Sequence, residues 1–297
     1  MSHHSQINEK ENTSEREFID PVEDEEESAN RRLYMHNIYE EVFGGKVGAP
    51  VQENLQNGAK ALELCCEDGI WITEVADEYP NTEFYGVDSN IQNSDNNFNN
   101  ITFIECNIFK KLPFPDNEFD YIFAKDKLLY MEKTTFLKVL SEILRVLKPG
   151  GWLEIVCTFN TELVYGPAYT RLRNTWESWL KVQNIDKDLS LNLENYLKQT
   201  GKTGTPLCRT KDSQVGCGNA FGEFLVEFIL FFYRTARDYL AAFMNISLEE
   251  FDDLVNKAEN ELSKENRTTI RHKQVLARKK SMHSEEIEAA RTMSSTK

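Results

Sequence analysis

The stretch AKALELCCEDGIWITEVADEYPNTEFYGVD (59–88) decides the fold. AKALELCC (59–66) is a short apolar run of the kind that a strand buried on both faces needs. GIWITEVADEY (69–79) changes to the period of an amphipathic helix. TEFYGVD (82–88) returns to strand character. A strand, a tight loop, a helix and a second strand make one βαβ unit, whose crossover is right-handed and whose strands run parallel.

The same alternation continues outward. NITFIECN (100–107) reads as a third strand, and SNIQNSDNNFNN (89–100) before it as a loop. EFDYIFAK (118–125) reads as a fourth strand and KTTFLKVLSEILRVL (133–147) as a strong amphipathic helix. Pro149-Gly150-Gly151 ends that helix, and WLEIVCTF (152–159) is a fifth strand. Strands alternating with helices predict an α/β fold, a doubly wound, Rossmann-like, mostly parallel sheet. Ahead of it, apolar residues recur at helical spacing from Glu25 to Phe43, and Gly44-Gly45 stops them. After Asn160 the pattern is mostly helical: Tyr165 to Val182, Asp188 to Gln199, and a capping box at Ser247 and Glu250 before a helix through Leu262. Residues 201–220 carry no clear period. GEFLVEFILFFYRTARDYLAAF (222–243) reads as one buried helix, with an exposed homodimer face as the sharper alternative. The basic stretch Arg267 to Lys280 is expected to be helical.

Composition narrows the function classes. The 297 residues carry a net charge of −15, and ten acids against two bases in the first 30 residues supply eight of those charges. Such a balance excludes a nucleic-acid backbone or an anionic membrane as the main partner, since both need basic patches. Residues 1–24 have too little apolar content to offset their ordering entropy and are expected to be a disordered acidic leader. The start has no apolar run of the secretory type, and no stretch approaches a membrane span of about 20 apolar residues. The six cysteines form no CxxC pair and have no histidine at zinc-ligand spacing, so no metal site is expected. They read as reduced thiols of an intracellular protein, cytoplasmic or nuclear.

Chemistry concentrates at strand ends. The loop Cys65-Cys66-Glu67-Asp68-Gly69 follows the first strand, where open parallel sheets bind ligands and backbone N–H groups must come close to them. Asp88 ends the second strand about 20 residues later, the spacing at which an acid accepts from ribose hydroxyls. Asn107 ends the third strand. LPFPDNEFD (112–120) and RVLKPGGWLE (145–154) are the most specific pieces.

In that order these pieces resemble a class I S-adenosylmethionine-dependent methyltransferase, and residues 31–157 are similar to a group of fungal small-molecule methyltransferases. Arg32 to His36, Ala49-Pro50, Asn57 to Trp71, Ala76 to Pro80 and Phe84 to Asp88 carry the resemblance together with the two specific pieces. GPAYTRLRNTW (166–176) and the Ser247 helix extend it more loosely. The resemblance implies S-adenosylmethionine as cofactor and a small-molecule methyl acceptor. It implies cofactor contacts at Glu63, which falls on the acid facing the methionine amine, and at Cys65, Glu67 and Gly69, which fall on three loop glycines. Asp88, with Ser89 beside it, falls on the ribose acid. Asn107 falls on the acid that meets the adenine amine, with Ile108 next to it. Lys125 falls on the wall of the transfer pocket, and Arg31 to Tyr39 on a helix covering the cofactor. The corresponding organisation is a domain over 25–263, with a cofactor-binding core at 58–160, a helical acceptor segment at 161–263, and a basic helical tail at 264–297.

The chain departs from the family at the loop, where Cys65 and Glu67 replace glycines, and at Asn107, an amide whose oxygen can still accept. No NPPY-like motif follows the fourth strand; Ala124-Lys125-Asp126 stands there instead, against methylation of an exocyclic base amine or of glutamine. His36, Asp126, Tyr130 and Glu154 are the candidates for a general base, and no pattern selects one as catalytic. The alternative reading is a non-catalytic binding or regulatory module on a degenerate methyltransferase fold, with Cys65 and Glu67 as the discriminating residues. A nicotinamide-dependent dehydrogenase would need GxGxxG, which the chain lacks.

Overall fold

The computed structural model describes residues 20–22, 24–91, 98–159, 166–216, 218–263 and 268–281. Five strands run parallel: β1 (Lys60–Leu64), β2 (Glu83–Asp88), β3 (Ile101–Glu105), β4 (Phe119–Ala124) and β5 (Leu147–Phe159). Two more, β6 (Leu207–Gln214) and β7 (Thr269–Arg278), are antiparallel, with β7 paired to both β5 and β6. The sheet order is β3-β2-β1-β4-β5-β7-β6. The order turns back between β1 and β4, so the loops leaving these two strands part there and open a crevice.

Both faces of the sheet are covered. Leu62, Leu64 and Ile122 face α4 (Lys133–Val146) and α6 (Leu189–Gln199), packing with Phe136, Leu140, Leu144, Leu193 and Leu197. Ala61, Tyr121 and Phe123 face α3 (Ile70–Glu78), where Trp71 stacks on Phe123 with ring centroids 4.1 Å apart. A third core joins α1 (Glu25–Phe43), α5 (Pro167–Val182), α7 (Ala220–Thr235), α8 (Arg237–Met244) and α9 (Leu248–Leu262). A short helix, α2 (Gln52–Gln56), leads into β1. The capping box at Ser247 and Glu250 is formed as read.

Several expectations are corrected. The basic stretch expected as a helical tail is β7, an inner strand of the sheet. Most of its polar side chains meet a partner remote in sequence. Lys273 Nζ donates to the Ser190 carbonyl at 2.9 Å and lies 3.1 Å from a Glu194 oxygen, Gln274 Nε2 donates to Glu154 at 2.7 Å, and Arg271 pairs with Asp212 at 2.7 Å. Those contacts outweigh a local pattern that carries no strand signature. Residues 207–214, inside the segment without a period, form edge strand β6. The 222–243 helix is two helices, divided at Ala236. Leu225, Val226, Ile229, Leu230 and Tyr233 of α7 are buried within the chain, so no dimer is needed to cover them.

The leader falls largely on residues outside those described, but its end does not hang free. Val22 is buried at 4% exposure in the helical core, and Arg31 on α1 pairs with Asp20. Residues 264–267 and 282–297 of the expected tail also lie outside the described residues.

Candidate active site

Glu63, on β1, is fully buried. Its Oε2 accepts from the Ile72 amide at 3.2 Å, at the start of α3. Its Oε1 lies 3.3 Å from Lys125 Nζ, an ion-pair distance without hydrogen-bond alignment, and has no hydrogen-bond partner. Burial raises this carboxyl to about 7, with the Lys125 ammonium holding it back from rising further. Burial works in the opposite sense on Lys125, but Glu63 and Glu67 leave its pKa above the ordinary lysine value.

The loop after β1 bends through left-handed backbone at three alternate residues: Cys65 at φ 55°, Glu67 at φ 54° and Gly69 at φ 70°. These are the positions at which the resemblance calls for glycine. The chain keeps the glycine conformation without the glycine, at a cost of about 1–2 kcal/mol for each non-glycine residue. Only at Gly69 does packing also demand it, since a Cβ there would meet the Phe103 ring at 2.7 Å. Asp68 is held from α1 by Arg32, Nε to Oδ2 at 2.8 Å, so the N-terminal helix clamps the loop.

Asp88 ends β2 at 2% exposure. It accepts from the Glu67 amide at 3.2 Å, the Asn90 amide at 3.1 Å and, at 3.4 Å, the Ser89 hydroxyl. Lys127 Nζ reaches both of its oxygens at 3.0 and 3.1 Å and lies 3.6 Å from Glu67. Glu67 is pushed upward by burial, against the pull of Lys127. Glu63, the loop, Asp88 and Lys125 therefore converge at the carboxyl ends of β1, β2 and β4. Asn107 stands two residues past β3 with its side-chain oxygen already accepting from the Phe109 amide at 2.8 Å, and Ile108 beside it is buried.

Toward β5 and β7 lies a second polar chain. Asp126 accepts from the Tyr39 hydroxyl of α1 and, at 2.8 Å, from the Thr158 amide. The Tyr39 hydroxyl also lies 3.1 Å from Thr158 Oγ1, which is 3.1 Å from His272 Nδ1. His272 Nε2 is buried without a partner. Burial raises Asp126 to about 6, offset in part by Tyr39 and Thr158, and lowers His272 to about 4. Of the remaining base candidates, His36 is shifted down by burial and by Lys125, and its Nε2 lies 3.1 Å from Glu74. A cavity of about 20 Å³, room for one water, lies among His36, Tyr39, Trp71, Phe123 and Lys125. Glu154 is saturated: it accepts from the Gly48 and Ala49 amides, Tyr121 and Gln274, and anchors the fold. Burial raises Tyr130 far above the ordinary phenol.

Sequence reading missed Lys127, Tyr39 as a hydrogen-bond donor, Thr158 and His272. Lys127 carried a signal, standing two residues past Lys125 at the same strand end. His272 carried none, because its segment read as helix.

A methyltransferase domain model matches residues 61–151. Among curated relatives, the demethylmenaquinone methyltransferase of Anoxybacillus flavithermus is 34% identical over 113 residues, covering 35% of this chain and 46% of that protein. Methyltransferase str3 of Strobilurus tenacellus is 30% identical over 107 residues, covering 36% of this chain and 37% of that protein. The chain thus spans less than half the length of these relatives. A solved putative sarcosine dimethylglycine methyltransferase from Galdieria sulphuraria aligns at 18% identity and a TM-score of 0.49, over 85% of this chain and 86% of that one. The domain match lies across β1 to β5, and the specific pieces 112–120 and 145–154 overlap it, so residues 61–151 are similar to a methyltransferase domain.

Proposed function

We propose that this protein transfers a methyl group from S-adenosylmethionine to a small-molecule acceptor, in an intracellular setting that fits its free thiols Cys65, Cys66, Cys106, Cys157 and Cys208. The observation that carries the reading is the buried Glu63 carboxylate, whose Oε1 is ion-paired with Lys125 but has no aligned hydrogen-bond donor. A fully buried carboxylate oxygen without a hydrogen bond, at the carboxyl end of the strand beside the crevice, fits an ammonium donor. Asp88, on the neighbouring strand, supplies a second carboxylate to hydroxyl groups. The left-handed loop, held by Arg32 and by the Asp88 carboxylate, keeps its backbone against the same crevice.

The cofactor supplies a methyl group on a sulfonium, a transfer whose demand on the protein is alignment. Glu63 and Asp88 hold the two ends of the ligand, and α1 covers it. The acceptor lies toward β4 and β5, where Asp126 and the Tyr39 hydroxyl stand. With its pKa raised to about 6, Asp126 can take a proton near neutral pH from an acceptor that must lose one, and Tyr39 and Thr158 orient it. Among the described residues no helix is long and apolar enough to cross a membrane.

Calorimetric titration with S-adenosylmethionine and with S-adenosylhomocysteine tests the reading. Saturable binding of both is expected, weakened by at least about tenfold in Asp88→Ala. Absence of heat at millimolar ligand with folded protein overturns it.

A further inference from the structure

Asp88 has no room left for another donor. A carboxylate offers about four lone-pair sites. The Glu67 and Asn90 amides, the Ser89 hydroxyl and the two contacts of Lys127 already take all of them. A ligand that brings a pair of hydroxyls to Asp88 must therefore displace something. The two amides belong to fixed backbone. Lys127 does not: its side chain is 37% exposed, whereas the carboxylate it covers is 1% exposed. Its own backbone is pinned in a 3-10 turn by the buried Leu128 and Leu129, so only the side chain is free to swing.

We propose that Lys127 is a latch: its ammonium occupies the Asp88 carboxylate in the ligand-free protein, and cofactor binding requires that it leave. The inference rests on the proposed cofactor site. Glu67 gives the displaced ammonium somewhere to go. Its carboxylate already lies 3.6 Å from Lys127 Nζ and is 23% exposed, on the solvent side of Asp88. An acidic side chain on left-handed backbone is costly, and this position supplies a reason for one: it keeps the lysine charge compensated when Asp88 is taken. Lys125 stands in the same relation to Glu63, at 3.3 Å, but at 15% exposure it has less access to water. The two lysines stand against three carboxylates, those of Glu63, Glu67 and Asp88.

The test is the dissociation constant of S-adenosylmethionine, measured by calorimetry on the full chain and on Lys127→Met and Lys127→Arg. A latch predicts opposite changes. Met removes the competitor and tightens binding by about tenfold, the factor matched by one charged hydrogen bond. Arg grips the carboxylate in bidentate fashion and weakens binding by a similar factor, about tenfold. If Lys127 instead holds the ligand, Met weakens binding and Arg preserves it, and the latch is overturned while the cofactor site stands. Equal affinities in all three also overturn it. If none of the three binds at millimolar ligand, the proposed function itself falls, and the latch with it. Should Lys127→Met fail to fold, the Arg variant decides alone, because weaker binding supports the latch and unchanged or tighter binding refutes it.

Discussion

Glu154 is expected to be a structural anchor, and replacing it with leucine should destabilise the protein by about 3–5 kcal/mol, the range for removing one member of a buried, charge-assisted group. The carboxylate is 1% exposed and joins four parts of the chain. It accepts from the Ala49 amide at 2.9 Å, the Gly48 amide at 3.0 Å, the Tyr121 hydroxyl at 2.8 Å and Gln274 Nε2 at 2.7 Å. The fit is close: a Cβ on Gly48 would come within 2.2 Å of the Gln274 amide. Leucine leaves the Ala49, Tyr121 and Gln274 donors buried, each at a cost of about 1–3 kcal/mol if nothing replaces the acceptor. Tyr121 and Gln274 can turn toward one another and recover part of that, which sets the figure toward the low end of the sum. Glu154→Gln keeps one acceptor oxygen but aims an NH₂ at the donors, so a smaller loss of about 1–2 kcal/mol is expected. Urea unfolding followed by tryptophan fluorescence gives both values. Thermal midpoints should fall by roughly 2–4 °C per kcal/mol for a chain of this size. A Leu variant within about 1 kcal/mol of the parent would refute the anchor role, since ordinary surface changes cost no more than half that.

Three further outcomes are expected. His272 is neutral in the folded state, with its pKa lowered from 6.5 to about 4, so the unfolded chain binds the extra proton; this contribution to stability is complete above pH 6.5 and is lost as pH falls toward 4. Glu63 and Asp126, whose pKa values are raised, act in the opposite sense, losing stability as pH rises from the ordinary carboxyl range through about 7 and 6. The His272 share is read as a difference: between pH 6.5 and 4 the parent should lose about 3 kcal/mol more than His272→Asn, and parallel curves would show that the imidazole titrates normally. Asp88→Ala should weaken S-adenosylmethionine binding by at least about tenfold in a folded protein, measured by calorimetry, and unchanged affinity would move the cofactor elsewhere. Ending the chain at Ser263 should abolish cooperative unfolding in a thermal scan, because β5 loses its neighbour on one side and β6 its only partner among the described residues; a sharp transition near the parent's midpoint would contradict the inner position of β7.

Residues 59–159 declared the parallel half of the sheet by their own pattern. The switch from apolar runs to helical period is local, and a buried parallel strand has the same composition wherever it stands. The pieces 112–120 and 145–154 carried the resemblance to methyltransferases, because a turn followed by a strand needs particular residues at fixed offsets. Asp88 was read from the end of its strand, whereas Glu63 and Lys125 were indicated only by the resemblance. What the sequence could not carry depends on partners far along the chain. β7 has the polar composition of an exposed helix, and Glu194, Glu154, Asp212 and Thr158 meet its Lys273, Gln274, Arg271 and His272 within the sheet. The loop after β1 looked degenerate by composition, whereas its backbone keeps the three left-handed bends, since φ is set by the packing around the loop as well as by the residue in it. Lys127 entered the site for the plainest geometric reason: the turn after β4 lies across the end of β2, and that neighbourhood is a property of sheet order, which no single segment encodes.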